Sequence, residues 1–285
     1  MIDKTELTDR QRRESEYHAR RAREMQHLAE APVALDIIAH PEERWWNAHW
    51  FLYSMVKRLA RPGMRALVVG CGFGGDAILL THLGLKVDAF DLSPESLEIA
   101  KRSALRSATA PIDFRQLASE RLDYPDASFD LVLFVDILHH VNIAATMAEI
   151  RRVIAPGAIV VGQEIYTFSR LDAVRNAAPV QRYLYPRLVR MVYGTDRPYI
   201  TADERKMSES DMAEVLAHLS APEIHYFKIF SGRLLPNDTL WANKIERRVL
   251  RALPALGRIL AGRVVFAGRI DRSRAAVSPA MQRQC

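Results

Sequence analysis

Apolar runs and helical patterns alternate along residues 65–165. The runs that read as buried strands are 65–70, 86–91, 112–117, 129–138 and 158–165. The segments between them with helical spacing are 75–84, 93–107 and 143–155. Ser93 followed by Pro94 is a typical helix start. Strands separated by helices of this length predict βαβ units, and therefore a parallel sheet.

The regular alternation stops after the fifth predicted strand. Residues 166–206 are irregular and rich in tyrosine and arginine, which indicates an insertion rather than another simple crossover helix. A helix over 208–220 follows, with Ser208 and Asp211 at the spacing of a capping box. Two further strands are predicted, at 223–231 and 263–270.

An aromatic helix is predicted before the first strand, within residues 34–59. Trp46 and Trp50 are four residues apart and share one helical face with Tyr53. A helix packed on the core is the expected reading, and a lid over a ligand is the alternative.

A second amphipathic helix is predicted over 239–261, interrupted by Pro254. Its apolar side carries Trp241, Ile245, Val249, Leu253, Leu256 and Leu260. Its other side carries Lys244, Arg247, Arg248, Arg251 and Arg258. We expect the apolar side to face the core, and a membrane-surface helix is the alternative.

The stretch VVGCGFGGDA, residues 68–77, has four glycines in six positions where the first strand turns into the first helix. Glycine there allows positive φ and removes the Cβ, so that a ligand can lie against the main chain. The following helix offers unpaired N–H groups and a positive dipole end. Because ligands of open parallel sheets bind at the carboxyl ends of the strands, this turn is a predicted ligand site.

The glycine spacing alone does not select the ligand. Residues 70–75 fit both the G-x-G-x-x-G dinucleotide fingerprint and the G-x-G-x-G nucleoside turn of methyl-transfer enzymes. Asp91 ends the second strand, where a carboxylate can bind both ribose hydroxyls, but both templates use such an acid. A turn or capping role before Ser93 is the alternative for Asp91.

Four motifs in order distinguish the two templates. They are ALVVGCGFGGDA at 66–77, VDAFDLSPESLEIAK at 87–101, LDYPDASFDLVLFVDILHHV at 122–141 and EIRRVIAPGAIVVGQEI at 149–165. Through them the chain resembles the class I S-adenosylmethionine-dependent methyltransferases of the type 11, or ubiquinone/menaquinone methyltransferase-like, branch. The resemblance covers residues 64–165 well and the later strands loosely, and a dehydrogenase is not expected to carry the last two motifs.

The chain departs from the family pattern at two positions. Val68 lies where the family often has an acidic residue, so the residue that would bind the methionine amino group is not identified. Ala158 replaces the second glycine of the family's Pro-Gly-Gly turn. The implied fold is α/β: a Rossmann-like, seven-stranded, mostly parallel sheet with helices on both faces. The implied organisation is an N-terminal helical arm and lid over 1–60, then a methyltransferase domain over 61–285, with the substrate-covering insertion at about 166–206.

The resemblance also implies a site for S-adenosylmethionine. Gly70, Cys71 and Gly72, with Gly74 in the same turn, would lie against the methionine and ribose. Asp91 would bind the ribose diol and Leu92 would pack on the adenine. The remaining implied positions are Ala118, Ser119 and Glu120 at the adenine edge, and Val135 and Asp136 at the sulfonium end.

Candidate catalytic residues follow the fourth and fifth strands. His139 and His140 come after the fourth strand, at the rim where the methyl group would emerge, and imidazole has a suitable unperturbed pKa for a general base. Glu164 ends the fifth strand and is placed to orient a histidine or bind the acceptor. A capping and packing role for the His pair is the alternative.

Candidate acceptor-binding residues lie in the insertion. Tyrosines can line a pocket and arginines can clamp a carboxylate or phosphate. The residues selected on this ground are Tyr166, Arg170, Tyr183 and Tyr199.

Composition narrows the function classes only slightly. The formal charge of +6 is compatible with an anionic or lipid-like partner, and no base-flipping motif or basic module indicates nucleic acid. Cys71 and Cys285 form no disulfide or metal pattern, adjacent histidines lack ligand spacing, and no metal site is predicted. The charged N-terminus and the absence of a long apolar run predict a cytoplasmic protein with at most peripheral membrane contact.

The sequence thus predicts methyl transfer from S-adenosylmethionine to a small-molecule acceptor, with oxygen favoured and nitrogen or carbon as alternatives. A nicotinamide-dependent dehydrogenase and a non-catalytic, nucleoside-binding regulatory protein are the two rival hypotheses.

Overall fold

A computed structural model describes residues 7–193, 206–231, 234–236 and 239–271. Within these residues seven strands form one sheet. They are β1 Arg65–Val69, β2 Lys86–Asp91, β3 Asp113–Gln116, β4 Phe129–Val135, β5 Ile154–Ile165, β6 Leu219–Phe227 and β7 Arg263–Ile270. The strand order is β3-β2-β1-β4-β5-β7-β6. Strands β3, β2, β1, β4 and β5 are parallel neighbours, and β7 is antiparallel to both β5 and β6.

Helices pack on both faces of this sheet, over two separate clusters of buried apolar side chains. They are α1 Asp9–Glu24, α2 Asp36–Ala39, α3 Ala48–Leu59, α4 Gly75–His82, α5 Pro94–Arg106, α6 Ile143–Val153, α7 Ser169–Asn176, α8 Tyr185–Tyr193, α9 Glu209–Ala217, α10 Leu240–Ala252 and α11 Pro254–Leu260. The predicted Rossmann-like, mostly parallel sheet is confirmed. A π-helical turn, Val180–Leu184, joins α7 to α8 in the segment after β5.

Three strands differ from their predicted bounds by more than one residue. The fourth strand ends at Val135 rather than at 138, because Asp136 has φ +52° and turns the chain out of the sheet. The fifth strand begins at Ile154, and Pro156 and Gly157 lie within it, because Ile154 already pairs with Phe129. The sixth strand runs from Leu219 to Phe227 rather than over 223–231. Leu219 pairs with Ile270, so strand pairing starts directly after α9.

The aromatic helix α3 is a core helix. Leu52, Tyr53 and Val56 are fully buried in the cluster on one face of the sheet. The Tyr53 hydroxyl donates a 2.7 Å hydrogen bond to Oδ1 of Asp76, which ties α3 to α4. Of the two readings of this helix, the structure supports packing on the core rather than a lid.

The prediction for the face of α10 was wrong. Trp241, Ile245 and Leu253, which we expected to face the core, are more than half exposed. Glu246 and Arg247 are buried in their place.

Partners that the sequence pattern does not reveal account for this reversal. The Arg247 guanidinium lies 4.2 Å from the ring centroid of Phe227, so that the cation packs on an apolar face. Oε1 of Glu246 accepts the main-chain N–H groups of Phe230 and Ser231. In the part of the chain that the structure describes, no helix combines the length and the apolar character required to cross a bilayer.

Gly74 allows α4 to begin against α5. It is the N-cap residue of α4, with φ +85°. A Cβ at this position would lie 2.8 Å from Cβ and 3.0 Å from Cα of Ala100. Neighbouring Gly75 has open space around its Cβ position and no positive φ.

We therefore expect Gly74→Ala to lower the free energy of unfolding by about 2–4 kcal/mol, because it combines an unfavourable φ with overpacking against a helix backbone. Gly75→Ala is the matched control and should change stability by no more than about 1 kcal/mol. Urea unfolding of the three proteins measures the difference, and equal effects of the two substitutions would contradict the packing argument.

Candidate functional site

A cavity of about 340 Å³ lies at the carboxyl ends of β1, β2 and β4, bordered by α1. Ligand pockets typically fall in this range of volume. The sequence-predicted residues that line it are Gly70, Cys71, Gly72, Asp91, Leu92, Ala118, Ser119, Glu120, Val135, Asp136 and His140. Gly74, His139 and Glu164 are not among the lining residues.

The glycine turn forms one wall of the cavity. Gly70 has φ +63°, and a Cβ there would lie 2.5 Å from Cδ1 of Ile137. Gly72 has φ +51°, and a Cβ there would meet no atom within 4 Å. Gly70 is therefore required by packing against Ile137, whereas Gly72 leaves bare main chain facing open space. Burial raises the pKa of the Cys71 thiol, so it is not an activated nucleophile.

Asp91 holds this turn in place. Its Oδ2 accepts the N–H of Gly72 at 2.8 Å, and its Oδ1 accepts the N–H of Ser93 at 2.9 Å. Ser93 caps α5 by accepting the N–H of Ser96. The carboxylate thus joins the end of β2 to the glycine turn and also lines the cavity.

The segment after β3 forms the opposite wall. Oε1 of Glu120 accepts a 3.0 Å hydrogen bond from the main-chain N–H of Asn142. Its Oε2 accepts a 3.0 Å hydrogen bond from Nε2 of Gln11. The Ser119 hydroxyl lies 2.9 Å from the Thr146 hydroxyl. Glu120 therefore connects this wall both to the loop after β4 and to α1.

The end of β4 forms the floor. Asp136 has φ +52°, and both its carboxylate oxygens accept hydrogen bonds from Nη1 of Arg263 at 2.7 and 2.9 Å. This left-handed residue turns the chain out of the sheet directly before Ile137, which also lines the cavity.

Glu164 organises the loop after β4 from beneath. It is fully buried. Its Oε1 accepts the N–H groups of Ile137 at 2.7 Å and Leu138 at 2.6 Å, and its Oε2 lies 2.7 Å from Nδ1 of His139. Glu164 and His139 therefore interact, but neither lines the cavity, and of the two adjacent histidines it is His140 that lines it.

Helix α1 closes one side of the cavity, and we did not predict its lining residues. Gln11, Glu14, His18 and Arg21 point into the cavity. Their spacing of three, four and three residues places them on one helical face, and that periodicity is the signal that could have identified them. Nη2 of Arg10 donates to the main-chain oxygen of His139 at 3.0 Å, which further attaches α1 to the loop after β4.

A cluster of two histidines and a glutamate lies where α1 meets that loop. Nδ1 of His140 lies 3.1 Å from Oε2 of Glu14, and Nε2 of His18 lies 3.6 Å from the same oxygen. Burial raises the pKa of Glu14, but the proximity and charge of the two imidazoles outweigh it and lower the pKa to about 2.

The cavity wall is predominantly acidic. Its described lining includes five carboxylates against a single arginine, Arg21. The carboxylates are Glu14, Asp76, Asp91, Glu120 and Asp136. This charge distribution suits a ligand with a positive charge better than an anion.

Of the four predicted acceptor-binding residues, the three that the structure describes do not line the cavity. Tyr166 is buried, and its hydroxyl donates to the main-chain oxygen of Arg258 at 2.6 Å. Arg170 and Tyr183 are exposed on the segment after β5. Tyr199 lies outside the described residues.

Residues 67–162 match the family described as "Methyltransferase domain". A ubiquinone biosynthesis O-methyltransferase of Methylocella silvestris is 37% identical over 98 residues, which cover 34% of this chain and 38% of that protein. A demethylmenaquinone methyltransferase of Tropheryma whipplei is 31% identical over 154 residues, which cover 54% of this chain and 63% of that protein. The chain thus spans less than two thirds of the length of these curated relatives.

A solved structure with a similar fold is geranyl diphosphate C-methyltransferase from Streptomyces coelicolor A3(2), in complex with Mg²⁺, geranyl-S-thiolodiphosphate and S-adenosyl-L-homocysteine. It superposes with a TM-score of 0.58 at 14% identity, over 93% of this chain and 99% of that one. At this identity the similarity establishes the fold alone. Together with the sequence matches, it shows that this chain is similar to methyltransferases in fold and, over residues 67–162, in sequence.

Replacing Glu164 tests its structural role. We expect Glu164→Gln to lower the free energy of unfolding by about 1–3 kcal/mol, because three hydrogen bonds to a buried charged group become neutral or are lost. Glu98→Gln, on the exposed side of α5, is the control and should change stability by no more than about 0.5 kcal/mol. Thermal or urea unfolding provides the measurement. An unchanged free energy of unfolding in Glu164→Gln would show that the charge does not stabilise the loop.

Proposed function

We propose that this chain binds S-adenosylmethionine in the α1-bordered cavity and transfers its methyl group to a small-molecule acceptor, with a hydroxyl oxygen as the favoured target. The observation that carries the proposal is the coincidence of bare main chain at Gly72, the Asp91 carboxylate and an acidic wall in one cavity. S-adenosylmethionine carries its methyl group on a positively charged sulfur, so that the bound cofactor supplies an already activated methyl group.

The lining residues fit each part of this cofactor. Asp91 lies beside Gly72, as expected for a carboxylate that binds a ribose diol. Leu92 and residues 118–120 line the part of the cavity proposed for the adenine. Val135 and Asp136 line the part proposed for the sulfonium, which their main chain would face.

The same charges argue against a nicotinamide dinucleotide. A dinucleotide would bring an anionic pyrophosphate to a cavity whose described lining has five carboxylates and one arginine. An anionic group brought against carboxylates disfavours binding. The dehydrogenase hypothesis is therefore the weaker of the two for this cavity.

For the reaction itself, we propose that His140 contacts the reactants, because it lines the cavity. An imidazole there can accept the proton that a hydroxyl acceptor loses. The buried His139 and Glu164 would position the loop that carries His140. Alignment of the acceptor and exclusion of water by α1 would supply most of the remaining rate enhancement.

For the acceptor, we propose a hydroxylated ring of the quinone-precursor type. The names of the relatives, ubiquinone biosynthesis O-methyltransferase and demethylmenaquinone methyltransferase, support this class, with carbon as the alternative target atom. Exposed apolar side chains after β5 and on α10 would suit a lipid-like acceptor. They are Val174, Tyr183, Leu184, Met191, Trp241 and Ile245.

Substitution of Asp91 tests the proposed cofactor site. We expect Asp91→Asn to weaken binding of S-adenosylhomocysteine by about tenfold or more, corresponding to about 1.4 kcal/mol, because the amide has no charge and cannot hold both the turn and a ribose. Asp113→Asn, an exposed carboxylate at the start of β3, is the control and should bind as the parent does. Isothermal titration measures the affinity of both variants for S-adenosylhomocysteine. An unchanged affinity in Asp91→Asn would contradict a ribose-binding role for Asp91.

A turnover assay tests the proposed reaction. We expect adenosylhomocysteine to form when the protein is given S-adenosylmethionine and hydroxylated benzoquinols, with and without a prenyl chain. Cofactor binding without turnover on any phenolic, amine or carbon acceptor would favour a regulatory nucleoside-binding protein. Binding of NAD without binding of S-adenosylmethionine would favour the dehydrogenase.

A further inference from the structure

Glu14 is a buried carboxylate whose oxygens accept no hydrogen bond from any described residue. The residue is 6% exposed, and neither Oε1 nor Oε2 accepts a hydrogen bond. Burying an ionised carboxylate without donors is costly, so a positive charge is expected beside it. The neighbouring groups are the imidazoles of His18 and His140.

Each of the three side chains offers one potential ligand atom, and these atoms lie within 4.8 Å of one another. Nδ1 of His140 lies 3.1 Å from Oε2 of Glu14, yet neither atom makes a hydrogen bond. The imidazole rings of His18 and His140 are nearly perpendicular, at 82° with centroids 5.6 Å apart.

The two separations from Oε2 of Glu14 are close to those between the ligand atoms of a metal site. Ligand atoms at ~2.1 Å from a tetrahedral Zn²⁺ lie ~3.4 Å from one another. The two contacts to Oε2 of Glu14 are 3.1 Å and 3.6 Å, and the three ligand atoms all lie within 4.8 Å of one another. Glu14 and His18 are four residues apart on α1, a spacing that places two ligands on one helical face.

We propose that Glu14, His18 and His140 bind a divalent transition-metal ion, with Zn²⁺ as the best fit to two imidazole nitrogens and one carboxylate oxygen. Mg²⁺ and Ca²⁺ prefer oxygen ligands, so this donor set disfavours them. Three protein ligands leave a fourth position open, as in sites that exchange water or bind a further ligand. All three side chains line the cavity, so the open position can face it.

The proposal is independent of methyl transfer, because it concerns ion binding to the protein without cofactor or acceptor. It does affect how His140 is used. An ion and a proton exclude each other at Nδ1 of His140, so the metal-loaded protein would hold this imidazole as a ligand. The ion would also join α1 to the loop after β4, across the edge of the cavity.

Direct titration of the full chain tests the site. Tag-free protein is treated with chelator, dialysed and titrated with Zn²⁺ by calorimetry, and then with Co²⁺ while the visible absorption is recorded. We expect saturation at one ion per chain with release of protons, and the intense visible bands of four-coordinate Co²⁺. We expect Glu14→Gln and His18→Ala each to weaken Zn²⁺ binding by about tenfold or more.

Matched controls separate this site from incidental binding elsewhere on the chain. Glu24→Gln, exposed near the end of α1, and His27→Ala, exposed just beyond it, should bind Zn²⁺ within about twofold of the parent. Glu14→Gln is nearly isosteric, and circular dichroism verifies the folding of every variant. Absence of saturable binding, or equal affinity in Glu14→Gln and the parent, would overturn the proposal and would leave the cofactor site as described.

Discussion

The contact between the Asp91 carboxylate and the main-chain N–H of Gly72 is the constraint on which the cavity depends. It joins the ends of two neighbouring strands, because Gly72 follows β1 and Asp91 ends β2. A second N–H, from Ser93, fixes the carboxylate from the α5 side. The turn therefore stays open on its cavity side, where Gly72 has no Cβ, while its other side is held by the sheet.

Carboxylates that accept main-chain N–H groups recur as organisers of this protein. Glu164 accepts two N–H groups from the loop after β4, and Glu120 accepts one from Asn142. Glu246 does the same for the segment after β6. Each of these carboxylates replaces hydrogen bonds to water by charge-assisted hydrogen bonds from main-chain N–H groups. These bonds fix the conformation of the loop that donates them.

Glu14 departs from this pattern, because its neighbours in the described structure are two imidazoles rather than main-chain donors. Because Glu14 lies on α1, this helix contributes side chains to the cavity as well as bordering it. Contacts from Arg10 and Gln11 attach the same helix to His139 and Glu120. The cavity is thus bounded by residues from opposite parts of the chain, and any ligand that contacts both sides would stabilise their association.

The sequence alone determined the sheet, its parallel core and the positions of the glycine turn and Asp91, because these features depend on local periodicity and on residues at strand ends. The tertiary structure decided which residues share the cavity. His139 and His140 are adjacent in sequence, yet of these two only His140 lines the cavity. His139 instead contacts the buried Glu164. The burial of Arg247 and the meeting of Glu14 with His140 likewise depend on packing between segments far apart in the chain. Hydrophobic periodicity describes one helix at a time, so it cannot identify a partner that another element supplies.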